Sequence, residues 1–200
     1  MRDRRDRILL PLSLFLLWLS AGVADGQAQA PPDQETQVRG YEVFGGYSLL
    51  SNSFNGHGSA PSHQPLNGWD AAAAFPLTPR WRIKLEAAGF YGTSLGSPQH
   101  ALFVLGGATW NHRFGREAGF VEGLAGVGHL NSDWWGGESA GHANSFAAEA
   151  GAGLDTPIGP RLAWRIQGDF QFSNFTIPDD QIHDLPNYFG RFTTGLAWKF

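Results

Sequence analysis

The stretch "QFSNF", Gln171 to Phe175, holds the residues closest to a catalytic arrangement. A serine hydroxyl becomes a useful nucleophile only when a neighbouring base takes its proton. Gln171, two residues before Ser173, is an amide and cannot take that proton, so Ser173 and Asn174 read as the start of a surface loop. The chain has no cysteine, which removes thiolate catalysis, thiolate metal sites and disulfides together. Of seven histidines, His57, His63, His142 and His183 fall in long connecting segments, while His129 and His112 belong near opposite strand ends. None has the close spacing of a metal motif. Asp179, Asp180 and Asp184 in "IPDDQIHDLP" lack the regular spacing of a calcium loop and read as a solvated acidic segment. The expectation is therefore no catalytic residue, no cofactor and no metal. The adjacent Trp134 and Trp135 in "DWWGGESAGH" are the best candidates for outside contact, since paired exposed indoles can dock a ligand, a partner or lipid headgroups.

A second set of residues carries charge in a regular pattern. Arg82, Lys84, Arg113, Arg165, Arg191 and Lys199 stand against Glu42, Asp70, Glu86, Glu122, Glu149 and Asp169, each in phase with glycine, alanine, serine or threonine. Six charges of each sign on one face suit a crowded interior in which ions must pair, because a buried charge needs a partner.

The elements that place them are stretches of about ten residues with a period of two, the mark of strands with unlike faces. Eight can be counted, at 41–49, 67–75, 81–91, 100–114, 119–130, 145–155, 162–172 and 188–200. In the seventh, Leu162, Trp164, Ile166, Phe170 and Phe172 oppose Arg165, Gln167, Asp169 and Gln171. The connections alternate. Residues 76–79, 115–118 and 156–160 are short and rich in proline and glycine; 51–65, 131–144 and 173–187 are long, and 93–98 is intermediate. An even-stranded meander puts every short turn at the end that holds both termini, the asymmetry of outer-membrane barrels. The fold class is all-β, an eight-stranded antiparallel up-and-down transmembrane barrel over residues 40–200.

The N-terminus reads as an export signal. Arg2, Arg4, Arg5 and Arg7 precede an apolar run from Ile8 to Leu19 that is too short for a spanning helix. Cleavage is expected after Ala24 or Ala28, with Ala30 a poorer choice because Pro31 would follow the cut. Residues 29–39 then form a polar, disordered lead. Cleavage after Ala28 leaves ten basic and fifteen acidic residues, a balance that argues against nucleic acid.

Alternation alone leaves open whether the apolar face meets lipid or a core, since a soluble ligand-binding barrel has the same pattern with its faces reversed. Tyr41, Trp69, Trp81, Tyr91, Trp110, Trp164, Tyr188 and Trp198 lie on that face near strand ends, where a membrane–water boundary satisfies both ring and polar tip. Together with the export signal, they favour lipid.

From Tyr41 to Phe200 the chain resembles the small eight-stranded outer-membrane β-barrels, such as the transmembrane domain of outer membrane protein A and its porin-like relatives. The resemblance is carried by "YEVFGGYSLL", "GWDAAAAF" and "YFGRFTTGLAWKF". It implies that Phe200, with Trp198, Leu196 and Tyr188, is the signal read by the barrel-assembly machinery. "QFSNF" also resembles the His-x-Ser-Asn site of the outer-membrane lipid A deacylases, without its histidine. No peptidoglycan-binding domain is expected after the barrel, so a role in anchoring to the cell wall is not expected. The expected protein is thus a non-enzymatic monomer among outer-membrane lipids, supporting envelope integrity or surface contact through loops whose ligand is open. A narrow porin and a lipid-modifying enzyme are the alternatives.

Overall fold

The computed structural model describes residues 40–51, 65–94, 97–132, 141–175 and 185–200. The signal and lead at 1–39, and Trp134 and Trp135, lie outside the described residues. Eight strands follow one another: β1 (Glu42–Leu50), β2 (Leu66–Pro76), β3 (Trp81–Ser94), β4 (Ser97–Phe114), β5 (Glu117–Ser132), β6 (Gly141–Pro157), β7 (Leu162–Phe175) and β8 (Leu185–Lys199). Each pairs antiparallel with the next, and β8 pairs with β1 to close the barrel. Closure leaves no strand edge unpaired, which a spanning sheet requires.

The stagger can be followed rung by rung. Leu50 faces Arg191, then Asp169, Gly151, Glu122, Thr109, Arg82 and Pro76 in turn. Extending the β1–β2 pairing places Pro76 opposite Gly40, ten residues below the starting point. Residues far apart in sequence therefore reach the same height inside the barrel, and this stagger decides which charges meet.

Short turns close one end. Between β2 and β3, Leu77 and Thr78 donate their amides to the Trp81 carbonyl, and Thr78 Oγ1 accepts from the Trp81 amide at 3.0 Å. Between β4 and β5, Gly115 takes φ 64°, where a side chain would be strained. Gly40, at φ 145°, admits the Phe200 carbonyl where a Cβ would sit only 1.9 Å from that oxygen. Phe200 in turn donates its amide to Tyr41, extending the β8–β1 seam past the last strand residue.

Two connections differ from expectation. In the segment 93–98, pairing of β3 with β4 continues to Ser94 opposite Ser97, so the strands extend further than expected. Ser173 and Asn174 are strand residues of β7, opposite Asn187 and Pro186, and do not begin the loop.

Large apolar side chains cover the outside, among them Val43, Ile83, Leu85, Val104, Val121, Val127, Ile166 and Phe170. Aromatics mark both borders of this surface. Tyr41, Trp81, Trp110, Trp164 and Trp198 stand near the short turns; Tyr47, Trp69, Tyr91 and Tyr188 stand toward the long connections. Trp69 lies over Gly89 and donates to the Tyr91 hydroxyl at 3.3 Å, and Tyr47 donates to Asn67.

Candidate functional site: the charged barrel interior

Inward positions divide into three layers. Nearest the short turns is a cluster of Glu42, Asp155, Arg82, Arg165 and Lys199. Arg165 donates through Nη2 to Glu42 Oε1 at 2.5 Å and through Nε to Asp155 Oδ1 at 2.7 Å. Arg82 Nη1 reaches Glu42 Oε2 at 2.6 Å, and Lys199 Nζ reaches Asp155 Oδ2 at 2.8 Å. Every oxygen of these two carboxylates has a donor. The Arg165 guanidinium also lies 4.5 Å from the Phe120 ring centre and 5.2 Å from that of Phe44, so its flat faces are covered by π-systems. Apart from the half-exposed Lys199, the group is buried.

The central layer holds Asp70, Glu86, Glu122, Glu149 and Asp169 around two cations. Arg191 donates to Glu86 at 2.5 Å, Glu149 at 2.6 Å and Asp169 at 3.0 Å, using all three nitrogens, and its Nη1 lies 3.5 Å from Asp70. Lys84 bonds both oxygens of Glu122, at 2.9 and 3.0 Å, and sits 2.7 Å from Glu86 Oε2 without hydrogen-bonding alignment. Gln167 bridges Glu122 and Asp169 through its amide nitrogen. Neither oxygen of Asp70 has a hydrogen bond, nor has Glu149 Oε2, nor either polar atom of Gln171, which faces Glu149 across the strands. Gly151 makes room for this layer, since a Cβ there would lie 1.8 Å from Asp169 Oδ1.

Above, toward the long connections, the lumen is apolar. Leu50, Leu66, Phe90, Phe103, Leu130, Phe175 and Phe189 are buried together. Phe103 packs edge-on against Phe90 at 6.0 Å and against Phe175 at 6.3 Å. The alternation of charged and small residues gave no sign of this plug. Its signal was the inward parity of Phe90, Phe103 and Phe189, balanced by inward glycines such as Gly128, where a Cβ would lie 2.7 Å from the Phe103 ring.

The structure brings Glu42, Asp70, Arg82, Lys84, Glu86, Glu122, Glu149, Arg165, Asp169, Arg191 and Lys199 into the interior. It leaves Arg113 out. Arg113 has the inward parity, but it lies one residue before the end of β4, beyond the rim, and is exposed to water. Asp155, absent from the sequence-derived set, takes an inward place and is the main partner of Arg165 and Lys199. The even tally of six and six thus becomes seven acidic and five basic residues among the described ones.

Ser173 is fully buried in the lumen and its hydroxyl has no hydrogen bond. His129 pairs with Asn144 at 2.7 Å, and His112 stacks on Trp110. Tyr188, Leu196, Trp198 and Phe200 all project from the outer surface, between 46% and 63% exposed. A cavity among Glu42, Arg82, Lys84, Glu122 and Arg165 has room for about one water molecule.

A closed eight-stranded meander with an apolar exterior, aromatic borders and an ion-paired interior defines the fold of the small outer-membrane barrels. Among solved structures, Neisserial surface protein A superposes with a TM-score of 0.59 at 12% identity, over 80% of this chain and 96% of its own. Ail, the attachment invasion locus protein of Yersinia pestis, gives 0.56 at 17% identity, over 80% and 99%. Its complex with the heparin analogue sucrose octasulfate gives 0.54 at the same identity and coverage. No protein-family model and no curated protein sequence matches the chain.

Proposed function

We propose that the chain is an integral outer-membrane protein, exported by its N-terminal segment, whose barrel is a sealed support for its long connections. The observation that carries this is the inversion of polarity. Large apolar side chains cover the outside between two aromatic borders, while four buried cations, the half-exposed Lys199 and seven acidic groups lie within. In water that arrangement exposes hydrocarbon; a bilayer covers the apolar exterior, while the interior charges are held by pairing with one another. The role is envelope integrity or surface contact, with no catalysis and no steady conductance.

The filled lumen disfavours a narrow porin, because two ionic layers and a phenylalanine–leucine plug lie across any water path. Buried Ser173, two residues from an amide and not a base, disfavours a hydrolase. Ail forms a complex with the heparin analogue sucrose octasulfate, a polyanion. The segments 52–64, 95–96, 133–140 and 176–184 contain no lysine or arginine, so surface contact by this chain suits an uncharged or cationic partner better.

The test joins fractionation, protease shaving of intact cells and planar-bilayer recording. Outer-membrane recovery, cleavage within the long connections and no steady current are expected. Recovery in the soluble fraction would overturn the membrane assignment, and robust current in the unmodified protein would promote the porin.

A further inference from the structure

The cations outside the lumen are all at one end. Beyond residue 39 the chain has nine lysines and arginines. Arg82, Lys84, Arg165 and Arg191 are buried inside. Of the other five, Arg80, Arg113, Arg116 and Arg161 are exposed and ring the end with the short turns, and Lys199 lies half-exposed at the mouth of the lumen there, paired with Asp155. The opposite end has none among its described residues, and its connecting segments contain no lysine or arginine while adding Asp133, Glu138, Asp179, Asp180 and Asp184. At the short-turn end, Glu117 is the exposed acidic side chain, beside the terminal carboxylate.

Position adds to charge. Arg80 immediately precedes Trp81, and its carbonyl accepts from the amide of Asn111 beside Trp110. Arg161 stands just before β7, its carbonyl accepting from the Lys199 amide beside Trp198. Arg113 follows His112, which stacks on Trp110. The cations are thus interleaved with Trp81, Trp110, Trp164 and Trp198, the residues that set the depth of the barrel at the membrane boundary. Indoles settle at the carbonyl and glycerol level, which puts guanidinium groups just outside them at the level of the phosphates. A guanidinium matches a phosphate with two parallel hydrogen bonds.

We propose that this ring is a binding surface for anionic phospholipids of the leaflet that meets the short turns, with phosphatidylglycerol-type headgroups as ligands. The opposite rim, lacking any lysine or arginine, has no such site. This rests on the membrane-inserted reading above, but the two can fail separately.

The test uses the folded full-length mature chain in vesicles of equimolar phosphatidylcholine and phosphatidylglycerol. Flotation with the vesicles and heat-modifiable gel mobility report insertion. Lipids retained after detergent extraction, counted by native mass spectrometry, report selection. A severalfold enrichment of phosphatidylglycerol is expected, shrinking as salt is raised because exposed charges are screened. The combined variant Arg80→Gln, Arg113→Gln, Arg116→Gln, Arg161→Gln should insert normally and lose the enrichment; these side chains lie outside the barrel core. Replacing the same four by lysine should restore most of it.

A barrel that fails to float would overturn the membrane reading itself. One that inserts without selecting phosphatidylglycerol, or whose selection survives the glutamine substitutions, would overturn the ring. Sedimentation with purified peptidoglycan that disappears in the glutamine variant, while lipid selection stays unchanged, would reassign the surface to the cell wall and also overturn the proposal.

Discussion

The two ionic layers of the lumen are built on opposite principles. Near the short turns, three cations surround two carboxylates and every carboxylate oxygen has a donor. In the centre, two cations serve five carboxylates, and Asp70 accepts no hydrogen bond at all. Proximity to the rim accounts for part of the difference, since Lys199 can keep its charge half in water. The central layer lies between that cluster and the apolar plug, so each group there depends wholly on its neighbours. The first layer satisfies every carboxylate oxygen, leaving only Arg82 Nε buried without a hydrogen bond; the second concentrates its balance in Arg191.

The largest effect should follow from Arg191→Ala. It removes the partner of Glu86, Glu149 and Asp169 at once and should cost at least the ~3 to 5 kcal/mol typical of breaking a buried pair. Urea unfolding in lipid vesicles would measure it. Arg165→Ala should cost less than Arg191→Ala, within that same ~3 to 5 kcal/mol range, because Arg82 and Lys199 still serve Glu42 and Asp155. Equal losses for the two variants would erase the distinction between the layers.

A control from outside sets the scale. Leu85→Arg, on the exposed apolar face, should cost roughly 2 to 4 kcal/mol near the bilayer midplane. If Leu85→Arg is tolerated while changes at Gln167 disrupt folding, the outside is not facing lipid.

The sharpest pair compares single carboxylates. Glu42→Gln weakens charged hydrogen bonds from Arg82 and Arg165 and should lose about 1.5 to 3 kcal/mol. Asp70→Asn removes a buried charge that accepts no hydrogen bond, so stability should change by less than about 1 kcal/mol or rise. A loss at Asp70 as large as that at Glu42 would mean that the 3.5 Å contact with Arg191 matters more than its geometry suggests.

At the chain end, removal of Phe200 tests a different layer of the reading. If the exposed terminal aromatic is the assembly signal, the truncated precursor is still exported while the folded, heat-modifiable form falls. Unchanged folded levels would leave Phe200 as a packing residue beside Trp198, whose ring lies 6.4 Å away.

Much of this architecture is local and could be read along the chain. Leu162 to Phe172 alternates because each strand residue points opposite to the one before, whatever its neighbours. Pro79, Gly115 and Gly159 interrupt pairing by backbone chemistry alone. Strand number, the division into two unlike faces and the short-turn end follow from such rules. Asp155 was equally readable in principle, since it shares parity with Glu149 on β6, but it stands at the very end of the 145–155 stretch, where an inward wall is least assured. Arg113 failed for the converse reason: parity fixes direction and not whether a wall stands opposite.

What only the closed barrel decided is which inward side chains share a height. The ten-residue stagger brings Arg191 of β8 to Glu86 of β3 and Glu149 of β6, groups separated by 105 and 42 positions in sequence. The same stagger collects Phe90, Phe103, Phe175 and Phe189 into a plug instead of scattering them among the ions. Periodicity is a property of one strand, whereas pairing partners, the surplus of acid and the sealing of the lumen depend on how all eight close upon one another. A side chain's direction is set within two residues of it; its company is set by the circumference of the barrel.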